Sequence, residues 1–99
     1  MSKRAENKIT PSSGNVFSDL GFEPAEAQVM AMRAALMASL EKTIKARKMT
    51  QAVAANVLGV SQARVSDLMR YQVDKFSLDM LVTFAAKLGR PATLHLNAG

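Results

Sequence analysis

The sequence predicts an all-α fold: a bundle of five helices with a flexible arm before it and a short β-strand after it. Three observations carry that expectation. Apolar residues recur at helical spacing from Val29 to Leu88. Polar caps and glycines punctuate them, with Thr50, Ser61 and Ser77 at starts and Gly59 and Gly89 at ends. Two-residue alternation, the strand signal, is found in the closing stretch "ATLHLNAG".

The elements follow in chain order. The opening "MSKRAENKITPSSG" lacks apolar periodicity and closes on a Pro-Ser-Ser-Gly turn cluster, so it reads as flexible. With the acidic stretch behind it, it makes an N-terminal arm of residues 1–23. Within that arm "NVFSDLGF" gathers Val16, Phe17, Leu20 and Phe22 into a short apolar knot ended by Gly21. The helical domain spans residues 24–91. Pro24 suits a first helical position, and Val29, Met32 or Arg33, Leu36, Leu40 and Ile44 then repeat to about Lys48, as one long helix or two in line.

The stretch "TQAVAANVLGVSQARVSDLMR" breaks its periodicity once and resumes it. Thr50 caps a helix from Gln51 to Leu58 with Ala54, Ala55 and Leu58 inside, and Gly59 permits the left-handed backbone that ends it. Val60 plugs the turn. Ser61 caps a second helix from Gln62 to about Arg70, with Val65, Leu68 and Met69 as its inner stripe. Small Ala55 and bare Gly59 let the two helices cross closely, which is a helix-turn-helix pattern. Ser77 then caps "LDMLVTFAAKLG", whose expected inner face is Leu78, Leu81, Val82, Ala85 and Leu88, with Gly89 and Pro91 as its stop. Residues 92–99 follow, with Leu94 and Leu96 on one face of the expected strand and Thr93 and His95 on the other. Such a strand is unstable alone, and pairing with its copy in a second chain is the simplest solution, with the long first helix as the alternative dimer element.

Counting Gln51 as the first place of the unit, Ala stands fifth, Gly ninth, Val fifteenth and Leu eighteenth. This combination resembles the helix-turn-helix of phage-repressor (XRE-type) regulators. With "NVFSDLGF", the long helix, "FSLDMLVTFAAKLGR" and the closing strand, nearly the whole chain resembles HigA-type antitoxins and their XRE relatives. The resemblance implies a phage-repressor-like bundle, a homodimer on an inverted-repeat operator, and a repressor of its own promoter that neutralises a small basic ribonuclease toxin of the HigB/RelE type. A free-standing phage-type repressor with no toxin is the alternative. The pattern departs from the family after the second helix, where glycine and then lysine are expected and Tyr71 and Gln72 stand. That departure predicts a prolonged helix and one phosphate contact fewer. Tyr71 itself either stacks on a sugar or caps the helix.

The residue chemistry supports a DNA site without the family. A helical wheel on the second helix turns Ala63, Ser66, Asp67 and Arg70 outward, with Gln62 and Arg64 on the flanks. Gln pairs bidentately with adenine, Arg with guanine, Ser with either, and an alanine methyl touches thymine. Asp67 repels phosphate unless it accepts from a cytosine amino group or is held by Arg64 or Arg70, each three residues away. Thr50, Gln51, the first amides of their helix, and the Lys45, Arg47, Lys48 cluster are expected near the DNA backbone, setting register rather than reading bases. The same cluster is equally readable as a solvated face whose charges favour a helix C-terminus.

Charge is unevenly spread. The net +5 resolves into −1 over residues 1–32, three basic against four acidic, and +6 over residues 33–99, ten against four. A basic domain suits a polyanionic partner. The acidic Asp19, Glu23 and Glu26 beside Val16, Phe17, Leu20 and Phe22 either bind a basic partner such as a toxin or fold back on the bundle. With no cysteine, one histidine and no phosphate loop or nucleophile beside a base, neither catalysis nor a metal or cofactor is expected. No signal peptide or membrane span is read, and the cytoplasm is the expected location.

Overall fold

The computed structural model describes residues 15–97, and the expected flexible segment 1–14 and the last two residues lie outside them. The described residues fall into two compact units, divided between Met32 and Arg33. Five α-helices are described: α1 (Val16–Asp19), α2 (Pro24–Ala46), α3 (Gln51–Leu58), α4 (Gln62–Met69) and α5 (Leu78–Lys87), with a 3-10 turn at Val73–Lys75.

In the first unit, the apolar knot is a single helical turn. Asn15 caps α1 by accepting from the Phe17 and Ser18 amides, and its side-chain amide donates to the Ala27 carbonyl at 3.1 Å. Gly21, at φ +94°, turns the chain. Phe17 and Phe22 then meet edge to face, with ring centres 5.8 Å apart. Glu23 accepts from the Ala25 amide at 2.7 Å, a carboxylate at the positive end of the long helix. That helix is one piece rather than two in line, and it stops at Ala46, two residues short of the expected end.

The second unit holds the core. Met37, Leu40, Ile44, Ala54, Ala55, Leu58, Val65, Leu68, Phe76, Leu81, Phe84, Ala85 and Leu88 form one buried cluster. Thr50, Ser61 and Ser77 each accept from the amide three residues on, capping α3, α4 and α5 as expected. An apolar residue precedes each cap, and the positions paired across each start are Met49 with Ala54, Val60 with Val65, and Phe76 with Leu81. All six are in or packed against the core, the arrangement of a hydrophobic staple that sets the angle at which the chain enters a helix.

Three expectations are corrected. No β-strand forms among the described residues: residues 90–97 have no regular structure, and Leu94 and Leu96 are 70% and 92% exposed. Strand amides need a partner edge, and the helical chain offers none. Secondly, α4 is not prolonged. It ends at Met69, and Tyr71 takes the left-handed conformation at φ +57°. Thirdly, Val82 is 41% exposed while Phe84 is buried. The stripe Leu81, Phe84, Ala85, Leu88 keeps the i, i+3, i+4, i+7 spacing of one helix face, and burying the larger phenylalanine turns Val82 outward.

Candidate nucleic-acid interface

The turn between α3 and α4 is closed by backbone chemistry that only its sequence permits. Gly59 stands at φ +72°, and both its amide and that of Val60 donate to the Ala55 carbonyl, at 2.8 and 3.0 Å. A β-carbon at Gly59 would also come within 3.3 Å of Lys87 Nζ, which donates to the Leu58 carbonyl at 3.1 Å. This ammonium from α5 therefore seals the negative end of α3. Ala54 and Ala55 are buried at the contact between α3 and α4, where small side chains allow close approach.

Around this frame the expected site residues separate into three groups. Lys48, Thr50, Gln51, Ser61, Gln62, Ala63 and Arg70 are exposed. Thr50 and Ser61 spend their hydroxyl oxygens on the caps. Ser66 and Asp67 are half-buried on α4. Arg64 is half-buried too and is held inward: its guanidinium lies 5.5 Å from the centre of the Phe76 ring and donates to the Lys75 carbonyl at 3.3 Å.

Asp67, the awkward member of the reading face, has cationic company. Its carboxylate lies 3.8 Å from Arg70, as one expected alternative had it, and 3.7 Å from Lys75. Lys75 escaped the sequence reading because it is eight positions away, beyond any helical pairing; its place in a loop behind the second helix was the available signal.

Of the basic cluster before α3, two members are engaged within the second unit. Lys45 pairs with Glu41 at 3.0 Å. Arg47 donates to the Leu88 carbonyl at 2.7 Å, neutralising the end of α5 rather than of its own helix. Lys48 is exposed and adopts φ +54°, unusual for a residue that carries a β-carbon. Tyr71 takes the capping role of its two alternatives. Its amide donates to the Leu68 carbonyl and that of Gln72 to the Asp67 carbonyl, while its hydroxyl donates to Glu41. The Tyr71 hydroxyl first, and then the Lys45 ammonium, hold the Glu41 carboxyl below its ordinary range; the same hydrogen bond pushes the Tyr71 phenol up.

In the first unit, Val16, Leu20 and Phe22 are exposed beside exposed Asp19, Glu23 and Glu26, while Phe17 is half-buried. No helix among the described residues is long and apolar enough to cross a membrane. A family model described as a helix-turn-helix domain matches residues 16–97, which takes in all five helices. No curated protein matches the chain.

Proposed function

The chain belongs to the helix-turn-helix domain family, and from that premise we propose that it is a cytoplasmic transcriptional regulator that reads double-stranded DNA by sequence. The observation that carries this is the face of α4: Gln62, Ala63 and Arg70 are exposed at its two ends, on a unit with a net charge of +6. Gln62 and Arg70 supply base-edge hydrogen bonds, Ala63 a methyl contact, and Ser66 a shorter hydroxyl reach. Lys48, Thr50, Gln51 and Ser61 lie at helix starts and ends where backbone phosphates are met. No catalytic step, metal or cofactor enters this function.

The test is binding to an operator selected from a random duplex pool and to an unselected duplex of equal length. Replacing Gln62 or Arg70 with alanine should each weaken the operator complex by about 1–3 kcal/mol and the unselected one far less. Equal losses on both would remove base readout from these residues.

The operator is an inverted repeat bound by a homodimer, whose recognition helices stand about 34 Å apart, one turn of the duplex. The finer role is that of an XRE-type, HigA-like antitoxin that represses its own promoter. What supports it is the acidic first unit with Val16, Leu20 and Phe22 exposed, a combination suited to the positively charged cleft of a small ribonuclease toxin. Co-expression with the small basic protein of the neighbouring reading frame tests it. The full chain should restore growth and co-purify, whereas a chain lacking residues 1–22 should do neither. Rescue by both forms would move toxin binding elsewhere, and rescue by neither, with operator binding intact, would favour the free-standing repressor.

A further inference from the structure

One carboxylate oxygen serves two cations behind the recognition helix. Asp67 Oδ1 lies 3.7 Å from Lys75 Nζ and 3.8 Å from Arg70 Nη2. The Asp67 side chain is 18% exposed, whereas those of Lys75 and Arg70 are 49% and 69% exposed, so the anion sits beneath two outward charges. The cations come from different elements, and each is placed by something other than Asp67. Arg70 is the residue that caps α4 just past Met69, its amide donating to the Ser66 carbonyl at 3.1 Å. Lys75 closes the 3-10 turn, where its carbonyl is gripped by Arg64 and its neighbour Phe76 is buried in the core. Remove the aspartate charge and both cations are released to solvent from neighbouring backbone positions, free for an external anion.

Resting on the DNA reading above, we propose that Arg70 and Lys75 form a clamp for one backbone phosphate, and that Asp67 is the internal anion competing for it. A phosphate oxygen entering the clamp takes over the cations that Asp67 holds in the free protein. The exchange takes the Asp67 carboxylate from its cations on every duplex, a cost offset only where the groove presents a cytosine amino group for that carboxylate to accept from. On a random duplex, where nearly all the binding energy comes from phosphates, the penalty stands. Asp67 is thus a specificity-determining residue, and Lys75 a phosphate contact outside the helix-turn-helix proper.

Salt titrations of operator and unselected duplex with the wild-type chain, Asp67→Asn and Lys75→Ala read the proposal directly, with thermal melts of each. Asp67→Asn should tighten the unselected duplex on the order of tenfold at low salt and steepen its salt slope by about 0.9, the value of one phosphate contact on B-form DNA. The operator should gain less, so the ratio between the two falls. Lys75→Ala should flatten both slopes by about one unit. An unchanged slope in Asp67→Asn, or weaker binding to both duplexes with a lowered melting temperature, would overturn the clamp while leaving DNA recognition in place. A wild-type chain that binds neither duplex would overturn the DNA reading and the clamp with it.

Discussion

Tyr71 shows how one side chain can change the work expected of its position. The place calls for a residue tolerant of a left-handed backbone, and tyrosine is costly there. The hydroxyl compensates by donating to Glu41, which ties the end of α4 to α2 through the same carboxylate that pairs with Lys45. The two shifts give this link opposite pH limits. Glu41 is depressed in the fold, so its contribution is present above the ordinary carboxylate range and is lost as pH falls through its lowered value. Tyr71 is raised, so its contribution is complete below the ordinary phenol value of about 10 and is lost as pH rises through the raised one. Phenolate absorbance should therefore show the single tyrosine titrating above about 10 in the folded chain. Glu41→Gln should bring that midpoint down, and a midpoint unaffected by the substitution would mean the contact does not persist in solution.

At the scale of elements, the ends of the helices tell more than their middles. α2, α4 and α5 finish alike: the amide three residues past the end reaches back across the last turn, and the residue just before it is left-handed. Those pairs are Met49 on Ile44, Gln72 on Asp67 and Arg90 on Ala85, with Lys48, Tyr71 and Gly89 as the left-handed residues. Only one of the three is glycine. Lys48 is the informative exception, because its exposed side chain makes no demand on the backbone that glycine would not meet better. Lys48→Gly should raise stability by about 1 kcal/mol, seen as a melting temperature roughly 4–8 °C higher. The same change should weaken operator and unselected duplex alike and flatten the salt slope by about one unit. A stabler protein with an unaltered slope would make the charge a bystander at the DNA.

For the whole molecule, the division of charge coincides with the division into compact units at Met32 and Arg33, the acidic share on one side and the basic share on the other. Such a chain can offer separate surfaces to a basic partner and to DNA. The tail beyond Pro91 belongs to this scale as well. Its leucines are exposed in the single chain, and an apolar pair left in water is the kind of feature a second copy would cover. Ending the chain at Pro91 should leave the helical circular dichroism intact and lower operator affinity, with sedimentation moving toward the monomer. A truncated chain that still sediments as a dimer and binds unchanged would assign the dimer contact to a helix surface and leave the tail without a part in it.

Local rules were enough for the elements whose signals are local. Thr50, Ser61 and Ser77 cap, Gly59 turns, and Ala54, Ala55, Leu58, Val65 and Leu68 are buried, because caps and stripes depend on residues within one or two helical turns. Contacts that close over long sequence separations were not legible: Lys87 on the end of α3, Arg47 on the end of α5, Tyr71 on Glu41, and Arg64 over Phe76. The sequence marks each of these as a charged or aromatic residue beside a helix end, but which carbonyl or ring it meets depends on how the helices cross. The absent strand has the same origin. Alternation in "ATLHLNAG" states a preference for extended backbone, and only a neighbouring edge, which the helical bundle lacks, can turn that preference into a hydrogen-bonded ladder.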